Sequence, residues 1–441
     1  SHSKQGTYGL MQTLFTPTQL ENPKLAEANK ILRSCVHCGF CTATCPSYQV
    51  LGDEADSPRG RIYAIKEMLE TGRPADKQTV THIDRCLSCL ACMTTCPSGV
   101  NYMHLIDQAR EYVEQTYKRP LMDRMLRSVL AFILPYPARF RLALYCARMM
   151  RPLAFVMPDR RLRAMIELAP KSIPKASLSD HPQSFAPMDG TAKYRVALLT
   201  GCAQKVLDPK INDATIRILT RLGCEVVIAG GMGCCGALRH HMGKGDGARE
   251  QAAENIDAWL GVKHQGGLDA VIINTSGCGT TVKEYGHLFT GHSRAAEAAE
   301  ISGLACDITE FLSKIGLPEG ARKSVRVAYH AACSLQHGQK IKDAPKDLLK
   351  RVGFEVVQPK DSHLCCGSAG TYNMLQPEIS GELRLRKQES LVACKADVIA
   401  AGNLGCMTQI AHDSDLKVVH TVELLDWALG GPRPEGFPAS P

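Results

Sequence analysis

Two runs of cysteines near the start of the chain share one spacing, Cys-x-x-Cys-x-x-Cys-x-x-x-Cys-Pro. The first run consists of Cys35, Cys38, Cys41 and Cys45, and the second of Cys86, Cys89, Cys92 and Cys96. This spacing is typical of iron–sulfur cubanes, in which three cysteines bind one cluster and the fourth binds the neighbouring cluster. The sequence therefore predicts two [4Fe–4S] clusters. Cluster 1 would be held by Cys35, Cys38, Cys41 and Cys96, and cluster 2 by Cys86, Cys89, Cys92 and Cys45.

Structural zinc sites and disulfides are the alternatives for these eight cysteines. Zinc sites usually draw their four ligands from two separated pairs, which this spacing does not provide. Gly39, between two of the cysteines, would allow the backbone to approach the cluster closely. His37 lies inside the first run and is predicted to be a solvent-facing spacer. An iron–sulfur pair of this kind carries single electrons, so electron transfer is the expected chemistry.

A second set of eight cysteines belongs to an internal repeat with offsets of 128–131 residues. The first copy contributes Cys202, Cys234, Cys235 and Cys278, and the second contributes Cys333, Cys365, Cys366 and Cys406. Vicinal cysteines do not easily bind one tetrahedral ion together, but they can bridge neighbouring irons. Three interpretations therefore stay open: a further cluster, a thiol-lined pocket without metal, or buried apolar cysteines. Four cysteines fall outside the repeat and are predicted to lie in the core: Cys146, Cys224, Cys306 and Cys394.

The elements that position these cysteines follow from the apolar pattern. In the first repeat, Val196–Leu199, Val226–Ile228 and 271–273 are predicted to be buried strands, and 207–222 and 249–260 to be helices. Alternating strands and helices indicate parallel α/β units, whose strand ends gather ligands. Around the first cysteine runs, Arg61–Leu69 and Met103–Tyr117 are predicted to be helices.

The predicted fold class is an α+β multidomain protein. A mainly helical bacterial-type two-[4Fe–4S] ferredoxin domain is followed by two duplicated α/β cysteine-rich domains. The predicted segments are an N-terminal extension (1–30), the ferredoxin-like domain (31–117), a basic amphipathic helical segment (118–168), a linker (169–193), and the two repeats (194–320 and 321–432). Within the extension, Met11 is expected to be the native start, with residues 1–10 added by a vector.

The net charge of +8 is concentrated in the basic segment, where 118–167 carries eleven Lys or Arg against three acidic residues. The remaining chain is balanced, which argues against a nucleic-acid-binding protein. One interpretation of the segment is a docking element for an anionic membrane surface, with Phe132, Ile133 and Leu134 in the interface. The other is a pair of ordinary helices packed on the core or on a partner subunit, with solvated arginines.

Other patterns limit the range of functions. No run of about 18 apolar residues predicts a membrane span, and no signal peptide is recognised. Twenty cysteines without an export signal favour reduced thiols and a cytoplasmic location. The glycine-rich 230–233 and 243–247 lack a dinucleotide or phosphate-loop fingerprint. Five histidines near the motifs are each expected to have a structural role rather than to bind metal or carry protons: His240, His241, His330, His337 and His363.

The repeated Cys-Cys-Gly pattern resembles the cysteine-rich "CCG" domains of heterodisulfide reductase-type proteins. Those domains have a further cysteine three positions after the last one, and this chain has Thr281 and Gln409 there instead. The resemblance implies further iron–sulfur chemistry, and the two departures argue against a five-cysteine cluster. A thiol–disulfide reductase is the function of a different class that this resemblance allows.

The order of double-cubane domain, basic middle and two CCG repeats resembles the iron–sulfur subunits of flavin-linked hydroxyacid oxidases, and most closely the glycolate oxidase type. The resemblance rests on Ser34–Pro46, on 51–54 and on Ser57–Arg61. It implies an electron-transfer subunit, inactive alone and without catalytic residues of its own. FAD-containing partner subunits would oxidise glycolate, or D-lactate, and a quinone or other respiratory acceptor would receive the electrons at the cytoplasmic face of the inner membrane. Subunits of lactate or glycerol-3-phosphate dehydrogenases are the alternatives within the class.

Overall fold

The computed structural model describes residues 11–320, 324–435 and 437. The expected vector-derived residues 1–10 and the first three residues of the predicted second repeat therefore lie outside the described residues. The chain divides into two compact units. The N-terminal unit comprises the described residues up to Leu121 together with His240–Gly245, and the C-terminal unit comprises Met122–Arg239 and the described residues from Asp246 onward.

The N-terminal unit is built from helices. They are α1 (Pro17–Leu20), α2 (Pro23–Ser34), α3 (Pro46–Leu51), α4 (Pro58–Thr71), α5 (Lys77–Asp84), α6 (Ala91–Thr95) and α7 (Tyr102–Thr116). Side chains such as Leu32, Ile65 and Leu105 form one buried cluster between α2, α4 and α7. The predicted helices 61–69 and 103–117 correspond to α4 and α7.

Polar caps set where these helices begin. The Ser57 hydroxyl accepts a hydrogen bond from the Gly60 amide at 3.0 Å, and Pro58 occupies the first turn of α4, where its missing N–H is not needed. Asp76 caps α5 and Asn101 caps α7 in the same way. The caps fix the loops between helices, and those loops carry the cysteines.

Three helices follow in the basic segment: α8 (Leu121–Ile133), α9 (Pro137–Met150) and α10 (Arg160–Glu167). Helix α9 buries Leu144 in a small cluster with Val206 and Ala169. No helix among the described residues is both long and apolar enough to span a bilayer.

The first cysteine-rich repeat contains a five-stranded sheet. Its strands are β1 (Gln183–Phe185), β2 (Tyr194–Leu199), β3 (Cys224–Ile228), β4 (Ala270–Ile273) and β5 (Ala305–Asp307), in the order β1-β3-β2-β4-β5. Its helices are α11 (Gln204–Leu207), α12 (Lys210–Arg221), α13 (Ala237–His241), α14 (Gly245–Gly266), α15 (Ser276–Lys283), α16 (Tyr285–Leu288), α17 (Ala295–Leu304) and α18 (Ile308–Ile315). Strands β2 to β5 pair in parallel, and β1 is antiparallel.

The second repeat contains a four-stranded parallel sheet. Its strands are β6 (Arg326–His330), β7 (Glu355–Val357), β8 (Val398–Ala401) and β9 (Val418–His420), in the order β7-β6-β8-β9. Its helices are α19 (Ala344–Arg351), α20 (Tyr372–Leu375), α21 (Pro377–Val392), α22 (Leu404–Ala411) and α23 (Thr421–Ala428). This order repeats that of β3-β2-β4-β5. The predicted α+β fold class, with duplicated α/β repeats, is confirmed.

The central strands of both sheets, β2 and β4 in the first and β6 and β8 in the second, are buried on both faces, as expected for parallel α/β sheets. On β2, Val196 and Leu198 face one apolar cluster, and Ala197 and Leu199 face another. The first of these clusters also contains Val327 and Val422 of the second repeat. The two repeats therefore share one hydrophobic core.

One element differs from the sequence-based prediction. The segment predicted to be a linker, 169–193, contains strand β1, whose residues 183–185 pair with 226–228 of β3. Nothing in the sequence Gln-Ser-Phe indicates a strand, because its formation depends on the exposed edge of β3 rather than on local pattern.

Candidate metal centres

The cysteines of the two runs lie mostly in the loops between helices, and Cys92 lies within α6. Cys35 directly follows α2, and Cys45 precedes α3, with Pro46 as its first residue. Cys96 directly follows α6. Pro46 therefore starts a helix, because its ring suits the first helical position.

The two loops have matching backbone conformations. His37 and Gly39 in the first run, and Ser88 and Leu90 in the second, all have positive φ, between 50° and 84°. Three of these four residues are not glycines, and such residues at positive φ carry local strain that the surroundings must stabilise. The strain is concentrated on the residues that flank Cys38 and Cys89. Successive amides in such turns form concave anion-binding sites, which suits an anionic sulfide cluster.

Gly39 also lies against a side chain of α4. At its φ of +84°, a Cβ atom would lie 2.5 Å from a guanidinium nitrogen of Arg59. The glycine therefore makes room for an arginine beside the first loop, in addition to the close backbone approach predicted from the sequence.

The structure brings the eight cysteines together around two neighbouring cavities. The first is lined by Cys35, Cys38 and Cys41 of the first run and by Cys92 and Cys96 of the second. The second is lined by Cys45 of the first run and by Cys86, Cys89 and Cys92 of the second. Each cavity thus combines three cysteines of one run with the fourth of the other, and Cys92 lines both. Pro58 and Tyr102 line both cavities, so the two cavities adjoin.

Burial keeps several of these thiols protonated when no metal is bound. Burial raises the pKa of Cys41 to about 11, although the backbone N–H of Arg59 acts in the opposite direction. Burial also raises the pKa of Cys35 and of Cys92. Metal binding requires thiolates, so cluster assembly would release these protons. The donor set of four convergent thiols per cavity fits a cubane.

A buried ionic network supports the second cavity. The Asp56 carboxylate is fully buried and pairs with Arg61 at 3.3 Å, Arg85 at 2.8 Å and His82 Nδ1 at 3.0 Å. Arg61 also donates to the His82 carbonyl at 2.6 Å, and its guanidinium lies 3.9 Å from Cys45 Sγ. A buried cation beside a ligand sulfur favours the reduced, more negative state of a cluster.

The motif Ser57-Pro58-Arg59-Gly60-Arg61 builds this network. Ser57 and Pro58 start α4, and Arg61 enters the ionic network. Gly60 allows a close backbone approach, since a Cβ there would lie 2.1 Å from the Glu54 carbonyl oxygen. Within the motif, Pro58 and Arg61 line the second cavity, and Arg59, which pairs with Glu54, lines the first.

In the C-terminal unit, the repeated cysteines form two thiol quartets at the carboxyl ends of parallel strands. The first quartet is a row of hydrogen-bonded thiols in the order Cys202, Cys234, Cys235, Cys278. The second is the corresponding row Cys333, Cys365, Cys366, Cys406. The structure therefore brings together all eight cysteines predicted from the repeat, four to each site.

Two features of the structure favour glycine at the third position of each Cys-Cys-Gly motif. Gly236 and Gly367 have φ of +89° and +88°, which favours glycine. A Cβ on Gly236 would lie 2.8 Å from the Ala248 carbonyl, and one on Gly367 would lie 2.6 Å from the Ser380 carbonyl. The vicinal cysteines are thus held against the helix that follows them in each repeat.

The two positions that replace a fifth cysteine have ordinary structural contacts. The Thr281 hydroxyl donates to the Gly277 carbonyl within α15. Gln409 donates to the Ser380 hydroxyl at 2.8 Å and accepts from Asn373 at 3.0 Å.

The cysteines outside the repeat differ among themselves. Cys224 is completely buried, as predicted, and Cys306 and Cys394 are half-buried. Cys146 is exposed, so its assignment to the core is wrong. It lies on α9 next to exposed Tyr145, where the helical pattern does not distinguish a core-facing position from a surface one.

His37 is exposed, as predicted for a spacer, but its Nδ1 also lies 3.4 Å from Cys35 Sγ. Three functional side chains were missed by sequence reasoning: Asp56, Arg61 and Lys387. Lys387 is completely buried near the second quartet. The signal that could have found it is its position within an otherwise apolar helical face of α21.

Comparisons with known proteins agree with this arrangement. Residues 31–100 match the model of the 4Fe-4S dicluster domain, and 196–283 and 327–411 match that of the cysteine-rich CCG domain. The chain is 42% identical to the glycolate oxidase iron-sulfur subunit of Escherichia coli over 95% of this chain and 99% of that protein. It is 32% identical to the probable glycolate oxidase iron-sulfur subunit of Bacillus subtilis, over 90% of this chain and 94% of that protein.

Two more distant similarities were found. Lactate utilization protein A of Oceanobacillus iheyensis is 30% identical over 53% of this chain and 96% of that protein. A crystal structure of a hypothetical protein from Helicobacter pylori has a TM-score of 0.51 at 9% identity, covering 93% of this chain and 73% of that one. This last similarity concerns the fold alone.

Proposed function

Because the chain belongs to the family of glycolate oxidase iron–sulfur subunits, we propose that it carries electrons from FAD-containing flavoprotein subunits to a respiratory acceptor. Oxidation of glycolate to glyoxylate removes two electrons and two protons, which the flavin would accept together. Iron–sulfur clusters accept electrons singly. The chain is thus a subunit of an oxidoreductase complex, and we expect it to be inactive alone.

The two adjoining thiol cavities are the observation that carries this proposal. We assign cluster 1 to Cys35, Cys38, Cys41 and Cys96, and cluster 2 to Cys86, Cys89, Cys92 and Cys45, because these sets line the two cavities. When bound, the clusters supply one-electron chemistry. The shared lining residues Cys92 and Tyr102 place the two sites next to each other, which suits rapid transfer between them.

The chain's own residues set the environment of these sites. Arg61 brings a buried positive charge to Cys45, and the hydroxyl of Tyr102 donates to Cys86 Sγ at 3.8 Å. The backbone N–H of Arg59 faces Cys41. All three stabilise negative charge on ligand sulfur and raise the reduction potential of a bound cluster.

A further iron–sulfur cluster in the CCG repeats is part of the proposal. The first quartet supports it, because its four contiguous thiols are buried or half-buried and form one hydrogen-bonded row. Such a set resembles the all-thiolate ligation of iron–sulfur clusters.

We also propose that the basic helices bind the cytoplasmic face of the inner membrane peripherally, where a quinone would accept the electrons. Helix α8 exposes an apolar stripe of Met122, Met125, Val129 and Phe132 at helical spacing, and α9 exposes Leu142, Tyr145 and Met149. Exposed arginines, among them Arg124 and Arg148, lie on the same helices. Leu134, expected from the sequence to enter the interface, is buried instead and packs inward.

The test of the electron-transfer proposal is to purify the chain anaerobically with its flavoprotein subunits and add glycolate. Bleaching of the iron–sulfur absorbance near 400 nm is expected with the complex and not with the isolated chain. D-Lactate in parallel tests the second substrate, which the similarity to lactate utilization protein A favours. Bleaching of the isolated chain by a dithiol donor, without flavoprotein, would instead support a thiol–disulfide reductase.

A further inference from the structure

The two thiol quartets occupy equivalent places in the repeats, but their surroundings differ. Strand β2 ends at Leu199 and strand β6 ends at His330, each three residues before the first cysteine of its quartet. Leu199 pairs with Ile273 of β4, and His330 pairs with Ala401 of β8, so the two positions have the same register. The second quartet therefore has an imidazole where the first has an isobutyl group.

His330 has no ordinary structural role among the described residues. Its side chain is completely buried, no oxygen or nitrogen atom among the described residues bonds either ring nitrogen, and its polar neighbour is the thiol of Cys406. Burying a polar group without a good hydrogen-bond partner is unfavourable. One of its ring nitrogens and the sulfur atoms of Cys366 and Cys406 lie within 4.8 Å of one another. The imidazole thus points at the end of the thiol row.

The charge at the second quartet differs as well. Lys387 of α21 is completely buried and donates to the Asp361 carbonyl at 2.7 Å. Burial lowers the pKa of Lys387, and the charges of the four thiols of the second quartet act in the opposite direction. The equivalent helix of the first repeat has Asn255 there, a neutral side chain that bonds the Gly233 amide and the Cys234 carbonyl. A buried cation requires nearby negative charge, which thiolates would supply.

A further donor acts on the ligand sulfur itself. The Asn403 amide donates to Cys406 Sγ at 3.3 Å. The corresponding residue of the first repeat, Thr275, donates to Gln204 instead. Hydrogen bonds to a ligand sulfur are typical support for a metal site.

We propose that the second quartet binds a single tetrahedral metal ion of the zinc class, with Cys366, Cys406 and His330 as ligands. A set of two thiolates and one imidazole is an established zinc-binding combination. The fourth position is filled by another thiol of the quartet or by water. The first quartet, with Leu199 and Asn255, has no equivalent site. This inference concerns metal binding alone and does not depend on glycolate as the substrate of the complex.

The test is zinc analysis and zinc K-edge X-ray absorption on the anaerobically purified full chain. We expect one zinc per chain, with one imidazole nitrogen and two or three sulfurs as ligands. His330→Leu, which introduces the residue of the first repeat, should lower zinc affinity at least ~10-fold, the scale on which even supporting residues act. His330→Cys should retain zinc with only sulfur ligands. Retention of zinc by this variant would show that loss of zinc in His330→Leu reflects the lost ligand and not a disrupted fold.

Cys278→Ser, at the position in the first quartet that matches Cys406, is the matched control and should leave the zinc content unchanged. Absence of zinc from the wild-type chain would overturn the proposal, as would an all-sulfur zinc shell. Zinc unaffected by His330→Leu would also overturn it. Loss of the glycolate-dependent bleaching with the zinc shell intact would instead count against the proposed function alone.

Discussion

At the scale of single residues, the central feature is that each thiol cavity of the N-terminal unit combines cysteines of both runs. Cys96 lines the cavity of the first run, and Cys45 lines that of the second. The two sites are therefore interdependent, because substitution of Cys45 or Cys96 would remove a cysteine from the cluster assigned to the other run.

We predict that the variants Cys38→Ser and Cys96→Ser affect one and the same cluster. Each of these N-terminal variants should lose the iron of one of two 4Fe-4S clusters. Because both residues line one cavity, the double variant should lose no more iron than either single variant. The combination Cys89→Ser with Cys96→Ser should lose both clusters. Iron analysis and Mössbauer spectroscopy on anaerobic samples provide the measurement.

Cys146→Ser is the control for this series, because Cys146 is exposed and lies outside both cavities. If Cys38 and Cys96 together removed both clusters while Cys89 and Cys96 removed one, the crossed assignment would be wrong.

At the scale of secondary structure elements, the CCG glycines hold each cysteine pair against a helix. We predict that Gly367→Ala destabilises the C-terminal unit by about 1–3 kcal/mol, because an L-residue at positive φ is strained. The steric contact with the Ser380 carbonyl acts in the same direction. Urea unfolding measures the effect, and faster reaction of Cys365 and Cys366 with a thiol reagent would show that the pair has moved.

Gly261→Ala is the matched control in α14, where an added Cβ meets open space. It should stabilise the protein by up to about 1 kcal/mol, as expected for alanine in a helix interior. If the Gly367→Ala variant were as stable as the wild-type protein, steric constraints would not explain why glycine occupies this position.

The N-cap of α18 gives a pH-dependent prediction. Asp307 is buried and accepts hydrogen bonds from the Thr309 amide at 2.8 Å and its hydroxyl at 2.5 Å. Burial raises the pKa of Asp307 to about 6. An acid with a raised pKa binds its proton more tightly when folded, so wild-type stability falls as pH rises from about 4 to about 6.

Asp307→Asn preserves the cap acceptor and removes the ionisable group. We predict that this variant is more stable than the wild type by about 3 kcal/mol above pH 6, and that the difference vanishes near pH 4. Thermal unfolding followed across this pH range measures it. A difference that is constant with pH, or that grows on acidification, would contradict the assignment.

Sequence reasoning found the elements in which the residue types and the spacing of the apolar residues indicate the same secondary structure. The apolar runs 196–199, 226–228 and 271–273 lie within β2, β3 and β4, and the repeat located all eight CCG cysteines. Strand β1 was missed because three residues without alternation become a strand only by pairing with β3. Leu134 was expected at the surface, yet it is buried. In a continuous run of apolar residues, the sequence does not show which side chains point to the core and which to the surface.

The cysteines that line the two cavities were predictable from the sequence, but their surroundings were not. The spacing of the cysteines along the chain was enough to identify them, because binding one cluster constrains how far apart its ligands can be in the sequence. Asp56, Arg61 and Lys387 required the fold, since long-range contacts bring them to the sulfurs. The repeat offset of 131 residues aligns His330 with Leu199 in the sequence, but the burial of His330 and its closeness to Cys366 and Cys406 required the fold.

At the scale of the whole molecule, the exposed apolar stripes on α8 and α9 predict reversible membrane binding. The chain should float with vesicles that contain anionic phosphatidylglycerol and should not float with neutral phosphatidylcholine vesicles. Added salt should weaken the binding by screening the arginines. Phe132→Ser should weaken it about tenfold, because it removes a large side chain that is 59% exposed on the stripe.

Leu178→Ser is the control, since Leu178 is 84% exposed but lies outside the basic helices. If the wild-type chain failed to float with anionic vesicles, the apolar stripes would be interpreted as a contact surface for a protein partner instead of a membrane.

The most direct test of the electron-transfer account is electron paramagnetic resonance of the anaerobic complex, frozen after addition of glycolate. The account predicts signals of reduced [4Fe–4S] clusters from this chain within the time of turnover. The Cys38→Ser and Cys96→Ser variants should change the same one of the two cluster signals. Glycolate oxidation by the complex with both clusters remaining oxidised would contradict the account.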